Sequence, residues 1–456
     1  MKDLSVIILA AGKGVRMKSD LPKVVHRVCG REMINHVVES VKALEPSQVI
    51  VVVGYKSDVV KDALDKDVVT VCQEPQLGTG HAVMQALPHV SKDAKRVLVL
   101  YGDTPLVRGE TLKRLVDYHV GGGFGMTVLT VQMDNPEGYG RIIRGEGGSI
   151  TGIVEHRDAD SDQRKIREIN SGIYCFDRER LVQGIGSIKN DNAQGEYYLT
   201  DIVEFLSDRG IIIGGCVLDD EQEIMGVNTK HQLSMVQKIM NKRNLIRLME
   251  EGVIIDDPDS TYIDSTVAIG IDTRILPGTH IEGNTTIGQG NIIGPGVRIQ
   301  NCTIGSGNEI EFSVVRDSDI GSLCKIGPYA HIRPGSSIKG GNRVGNFVEV
   351  KNSCLEEGSK VSHLSYIGDG DVGKGVNIGC GVVFVNYDGR KKHRTVVEDG
   401  AFIGCNVNLV APVRVKKGAY IAAGSTITKD VEEYSLAIER GTQAEVKDWV
   451  KRKGLK

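Results

Sequence analysis

From residue 263 to residue 299, isoleucine returns at every sixth position: 263, 269, 275, 281, 287, 293 and 299. The register slips by one residue to Ile304 and Ile310, then resumes at Ile320, Ile326, Ile332, Ile338, Val344 and Val350. A last run reads Val397, Ile403, Leu409, Val415, Ile421 and Ile427. Glycine often follows directly, as in Ile269-Gly270, Ile287-Gly288 and Ile403-Gly404. A helix would repeat at 3.6 residues and a strand at 2. Six residues make a short strand and a tight turn, with one aliphatic side chain inward and glycine or asparagine at the bend. Three such hexads close a triangular coil, and stacked coils bury the isoleucines in a ladder. The predicted fold of the second half is a parallel β-helix. An aromatic content of 5% suits so narrow a core.

The first half has another character. All ten methionines lie before residue 250. Ser5–Ala10, Val49–Val53 and Arg96–Leu100 are short aliphatic runs of the kind that form buried parallel strands. Amphipathic stretches such as Met33–Leu44 lie between them, which predicts an α/β doubly wound, Rossmann-like domain. Ligands of such sheets bind beyond the carboxyl ends of the strands, where Gly12-Lys13-Gly14 and Tyr101-Gly102-Asp103 fall. Between the two halves, Leu233, Val236, Ile239, Met240, Leu245, Leu248 and Met249 recur at helical spacing, and Gly252 follows as a cap. The expected organisation is therefore residues 1–230, a linker helix over 231–251, and a β-helix over 252–456.

Composition removes several classes. A formal charge of −3 argues against a dedicated nucleic-acid binder. No apolar run approaches the ~20 residues of a membrane span, so no membrane insertion is expected. The apolar run at Val6–Ala11 is too short for a signal peptide and leads straight into glycine. Nine cysteines without a CxxC pair suggest neither a zinc site nor a disulfide framework. Free thiols fit a cytoplasmic protein.

Leu9, Ala10, Ala11, Gly12, Lys13 and Gly14 lead through Val15 to Arg16 and Met17, and Pro22-Lys23 follows. Glycines after a strand let backbone N–H groups approach phosphate, and Arg16 and Lys23 add positive charge. Transfer of a phosphoryl or nucleotidyl group needs both. There is no GxxxxGK[ST], so this is not a P-loop. The full string resembles the signature of sugar-1-phosphate nucleotidyltransferases, which join a sugar phosphate to a nucleoside triphosphate and release pyrophosphate. It departs at Val15, where that family has threonine. Further resemblances follow in order. Gln73 and the run from Gln76 through Gly78 and Thr79 resemble the base-reading segment. Tyr101-Gly102-Asp103 resembles the metal-binding turn. Gly140, Glu155 and Asn170 fall in segments that resemble the sugar site, and Asn228 matches the second metal ligand beside Asp103. The resemblance implies Mg²⁺ as cofactor and UTP as a substrate.

In the second half the hexad rhythm breaks after Phe384. A polar, basic loop follows, from Val385-Asn386-Tyr387 through Lys392 to Arg394. Loops on rigid scaffolds often carry function. His363 lies nearby, a natural general base near neutral pH. With about 18 residues per coil, Arg333, Lys351 and Tyr366 fall in adjacent coils, and such a basic pair can grip a sugar phosphate. Glu349 is read as the residue that orients His363.

Tandem hexads resemble the left-handed β-helix acyltransferases, which are typically trimers with active sites between subunits. The strings around Arg333, Lys351, His363, Tyr366, Asn377 and Asn386 resemble the bacterial glucosamine-1-phosphate acetyltransferase domain. In that family it stands behind a pyrophosphorylase domain, as here. Over essentially its whole length the chain resembles the bacterial bifunctional enzymes that make UDP-N-acetylglucosamine, the precursor of cell-wall and outer-envelope polysaccharides. The resemblance implies that His363 is the base acting on the amine of glucosamine-1-phosphate. It implies that Arg333, Lys351, Tyr366 and Asn377 bind that sugar phosphate. Cys380, Asn386, Tyr387, Lys392, Cys405, Ala423 and Arg440 would face acetyl-CoA. Cys380 and Cys405 depart from the family's alanine and serine. The implied partners are small-molecule substrates and two further copies, as a homotrimer. Two rival readings remain: a single-function nucleotidyltransferase with a structural β-helix, and a non-catalytic regulatory subunit of the same architecture.

Overall fold

The computed structural model describes residues 1–192 and 194–455. It divides into two compact units, residues 1–240 and 241–456.

Among the described residues, the first unit is built on a nine-stranded sheet. Its strands are β1 (Leu4–Ala10), β2 (Gln48–Val53), β3 (Val69–Cys72), β4 (Arg96–Tyr101), β5 (Met126–Gln132), β6 (Arg141–Arg144), β7 (Ile150–Val154), β8 (Glu168–Asp177) and β9 (Ile213–Leu218). The order is β9-β5-β8-β4-β1-β2-β3, with β6 and β7 attached beside β8. The three runs singled out in the sequence are central, and β1 pairs in parallel with both β2 and β4. Both faces of the sheet are covered. On β1, Leu4, Val6, Ile8 and Ala10 belong to one core and Ile7 and Leu9 to the other. That split is the two-residue side-chain period of a strand buried on both sides.

The sheet is mixed rather than wholly parallel. The chain leaves β5, turns through the β6–β7 hairpin, and enters between β4 and β5 in the opposite sense as β8. Its pairing with β5 shifts register between Asn170 and Tyr174, and Gly172 stands at φ +80°. Bulges of this kind re-aim side chains, and they concentrate near active sites.

The helix Lys230–Glu250 follows. Its end is a Schellman turn: Val253 N–H donates to the Leu248 carbonyl (3.0 Å) and Gly252 N–H to that of Met249 (3.1 Å). Gly252 sits at φ +98°, a conformation open to glycine at little cost. Each half of this helix is built into the core of its own unit. Val236 packs with Met17, Val28, Met33 and Leu106. Leu245 and Leu248 pack with the first inward residues of the β-helix.

The second unit is the β-helix. Its three parallel sheets hold eleven, ten and nine short strands among the described residues. Ile263 pairs with Ile281 and Ile281 with Ile299, eighteen residues per coil. Ile299 then pairs with Val315, a shorter coil that accounts for the slip in the isoleucine count. At one inner corner Asn291 Oδ1 accepts from the backbone and side chain of Asn308 (2.8 and 2.9 Å), so the side chain does the work of a lost backbone bond. The loop after Phe384 lengthens one coil: Val372 pairs with Val397, twenty-five residues on.

Two candidate active sites

In the first unit the carboxyl ends of the strands open into a cavity of about 630 Å³. Leu9 and Ala10 close β1, and Ala11 and Gly12 continue into the cavity wall. A Cβ on Gly12 would meet nothing within 4 Å, so the backbone there is bare toward the cavity. Gly14 is different. It stands at φ +62°, and a Cβ would lie 2.7 Å from that of Lys23. Glycine at that point lets the backbone after β1 lie against the Lys23 stem. Val15 is exposed, so its departure from threonine leaves the backbone path intact.

Lys23 Nζ forms an ion pair with Asp103 Oδ2 and donates to Asn228 Oδ1 at 3.1 Å. Asp103 follows β4, and Val227 N–H donates to its carbonyl (3.0 Å), which brings Asn228 alongside. Two oxygens from distant parts of the chain thus converge on one cation. A hard divalent ion takes oxygen donors of this kind, so the pair fits Mg²⁺. Among the described residues there is no group of three His, Cys, Asp or Glu able to hold a metal. Mg²⁺ commonly takes one or two protein oxygens and completes its shell with phosphate and water.

On the other wall, Asn170 N–H donates to the Gly140 carbonyl (2.9 Å). A Cβ on Gly140 would lie 3.5 Å from Glu155 Oε1. The bulge holds Asn170, whose amide donates to the Tyr174 hydroxyl (2.8 Å) and accepts from Gly172 N–H (3.0 Å). Burial pushes the Glu155 carboxyl up, and Asp158 and Asp201 add to the shift. Burial likewise pushes the Tyr101 phenol well up, with Glu155 and Asp103 adding. Gln73 donates to the Gly78 carbonyl (2.9 Å) and contacts His81, and Thr79 Oγ accepts from Leu199 N–H (3.1 Å). These bonds shape the loop that carries Gln73, Gly78 and Thr79. Arg16 also lines the cavity. Gly102 is buried, and a Cβ there would strike Ile34 at 2.6 Å.

In the β-helix two rows of residues meet at one corner. Asn346 pairs with His363, and the same register continues through Cys380, Cys405 and Ala423. Arg440 lies over Gly424, its Cδ 3.7 Å from where a Cβ would be. On the adjoining sheet Arg333, Lys351 and Gly368 share a register. Tyr366 folds over Gly368, where a Cβ would meet its hydroxyl at 2.4 Å. Leu364 turns the corner between His363 and Tyr366 at φ +48°. Asn386 donates to Asp369 (2.5 Å) and reaches the Tyr366 hydroxyl (3.5 Å). Lys392 comes against Lys351, and the neighbouring ammonium holds its pKa below the usual lysine range. Tyr387 bridges back to Lys392 across the loop. Asn377 lies on the sheet of His363, paired with Lys360 and Phe402.

Glu349 does not orient His363. It accepts from Arg333 (2.6 Å), and His363 Nδ1 instead meets Asn346 Oδ1 at 2.6 Å. The in-register position one coil earlier on the same sheet is Asn346, whereas Glu349 belongs to the sheet of Arg333.

Comparison with known proteins places both halves. Residues 6–145 match the MobA-like NTP transferase domain, residues 261–340 the GMPPB C-terminal domain, and residues 394–429 the bacterial transferase hexapeptide. Over 454 residues the chain is 49% identical to the bifunctional protein GlmU of Clostridioides difficile, covering 100% of this chain and 99% of that one. It is 51% identical to the GlmU of Geobacillus sp. over 99% and 98% of the two chains. It is 52% identical to that of Alkaliphilus oremlandii over 99% of each.

The chain belongs to the GlmU family. It is a bifunctional uridylyltransferase and acetyltransferase.

Two residues of this GlmU-family chain escaped the sequence reading. Gln232 Oε1 accepts from the N–H groups of Asn228 (2.8 Å) and Thr229 (3.1 Å), and Thr229 Oγ accepts from Gln232 N–H (3.2 Å). The signal was present as Thr229-x-x-Gln232, a capping box at the start of the helix. Asn346 is the other. Its role depends on coil register, which the isoleucine count gives only once the coil lengths are known.

Proposed function

We propose that the cavity of the first unit is the uridylyltransferase site and that the His363 corner is the acetyltransferase site. The convergence of Lys23, Asp103 and Asn228 carries the first assignment. The Asn346–His363 bond beside Lys351 and Tyr366 carries the second. The domain assignment is pyrophosphorylase over residues 1–230, the helix over 231–251, and acetyltransferase over 252–456.

At the corner, Asn346 Oδ1 accepts the Nδ1 proton of His363. That tautomer leaves Nε2 with a lone pair to take a proton from the 2-amino group of glucosamine-1-phosphate. The amine then attacks the acetyl-CoA carbonyl, and CoA leaves. Arg333, Lys351, Tyr366 and Asn377 hold the sugar phosphate. Cys380, Asn386, Tyr387, Lys392, Cys405, Ala423 and Arg440 face acetyl-CoA. Transfer is direct, without an acetyl-cysteine.

In the cavity, the N-acetylglucosamine-1-phosphate oxygen attacks the α-phosphorus of UTP and pyrophosphate leaves. Gln73, Gly78 and Thr79 hold the base. Gly140, Glu155 and Asn170 hold the sugar, while Arg16 and Lys23 offset charge on the phosphates. Asp103 and Asn228 would hold Mg²⁺, which when bound neutralises phosphate charge. The working protein is a cytoplasmic homotrimer.

One paired assay tests the assignment. With all substrates present, CoA and pyrophosphate release are followed separately. His363→Ala is expected to stop CoA release and, when N-acetylglucosamine-1-phosphate is supplied, to leave pyrophosphate release intact. Asp103→Ala is expected to stop only pyrophosphate release when N-acetylglucosamine-1-phosphate is supplied. Equal loss of both reactions in either variant would overturn the two-site reading.

A further inference from the structure

Lys23 stands in an unusual position for a phosphate-binding lysine. Its ammonium is turned onto Asp103 Oδ2 and Asn228 Oδ1, the two oxygens that fit a divalent ion. Both partners of the ion pair are largely buried, at 16% and 15% side-chain exposure. The approach is built in from several sides. Lys23 follows Pro22 in a short 3₁₀ turn, its stem lies against Gly14, and Val227 ties Asn228 to the Asp103 carbonyl. The pair of oxygens is thereby already satisfied by a cation belonging to the chain.

We infer that Lys23 is a placeholder for the metal: its ammonium competes with a divalent ion for Asp103 and Asn228 until a nucleotide phosphate draws it away. The inference rests on the assignment of those two residues as the metal-holding pair. An ammonium and a divalent cation cannot occupy the same two oxygens, and their like charges repel at this separation. A triphosphate changes the balance, because it offers Lys23 another anion and brings oxygens that complete the metal's shell. Metal and nucleotide binding are then coupled positively, and by linkage each tightens the other. The free enzyme binds metal weakly and takes it up together with the nucleotide.

The test uses Mn²⁺ alone on the full chain, with binding read from the loss of the free-ion paramagnetic resonance signal. Lys23→Met is expected to tighten Mn²⁺ binding to the nucleotide-free protein at least tenfold, and Lys23→Ala to do the same. With saturating UTP at equal concentration on both sides of a dialysis membrane, so that the nucleotide's own chelation cancels, UTP is expected to tighten protein-bound Mn²⁺ strongly in the wild type and much less in either variant. Unchanged or weaker Mn²⁺ binding in both variants overturns the placeholder. Adding Asp103→Asn to Lys23→Met separates the two levels of the argument. If the double variant loses the gained affinity, the metal-holding pair stands. If it keeps the gain, the assignment of Asp103 fails, whatever the role of Lys23.

Discussion

His363 Nδ1 and Asn346 Oδ1 face each other at 2.6 Å, and this one bond selects the ring nitrogen left to accept a proton. Asn346→Ala is expected to lower the acetylation kcat by about tenfold, a fraction of the ~10²–10⁴ a general base supplies. It should also move the pH profile of acetylation while leaving pyrophosphate release unchanged; a stopped assay across pH on both products checks this. Asp201 makes a prediction of opposite sign from an ordinary ion pair. Burial, with Glu204 and Asp158 adding, pushes its carboxyl up to about 6. A carboxyl raised in the folded state favours folding while protonated, and that contribution is lost as pH rises from about 4 through about 6. Asp201 is only half-buried, so solvent screening reduces what the shift is worth, and Asp201→Asn is expected to raise the unfolding free energy by about 1–2 kcal/mol at pH 8 and to change little at pH 4. Urea midpoints at the two pH values measure it. At this scale the sequence named residues that the fold brings together, Lys23, Asp103 and Asn228 among them, and was silent about who holds them. The motif around His363 marks the proposed base, but the partner of its ring comes from the previous coil.

Elements explain why some of the site could be read and some not. The short central strands were visible because β1, β2 and β4 carry unbroken aliphatic runs at Val6–Ala10, Val49–Val53 and Val97–Leu100, as a sheet covered on both faces requires. Strand β8 was not visible as antiparallel. Its sequence carries Asn170, Ser171 and Gly172 in its middle, and its direction is set by the β6–β7 hairpin before it. The β-helix was legible because its period matches neither common alternative. Its coil lengths were not, since Val315 and the loop after Phe384 alter the count without altering the core. The helix Lys230–Glu250 was legible as a helix, yet its capping box was overlooked even though Gln232 also fixes the backbone of Asn228. Gln232→Ala is expected to cost about 1 kcal/mol of stability in the first unit. It should also weaken uridylyl transfer more than acetyl transfer, as thermal melts and the paired product assay would register.

For the whole molecule, the boundary between the two units lies inside that helix, after Met240. Val236 completes a core that includes Met17, next to Arg16 in the cavity wall. A fragment ending at residue 250 is therefore expected to keep pyrophosphate release. One ending at 229 uncovers Val28, Met33 and Leu106 and is expected to melt lower and lose most activity. Purified fragments compared by calorimetry and pyrophosphate release decide it. The register of the second unit has a metric consequence. His363, Cys380, Cys405 and Ala423 stand on successive rungs of one sheet, and the Arg440 segment forms the next. Strands in a sheet are spaced by roughly 4.8 Å, so these four steps measure about 19 Å along the axis. The β-helix is thus a ruler as well as a scaffold. On the proposed acetyltransferase reading it sets how far from the reacting amine a long, extended thioester would be gripped, and inserting or deleting one coil between His363 and Arg440 would change that reach by a single discrete step.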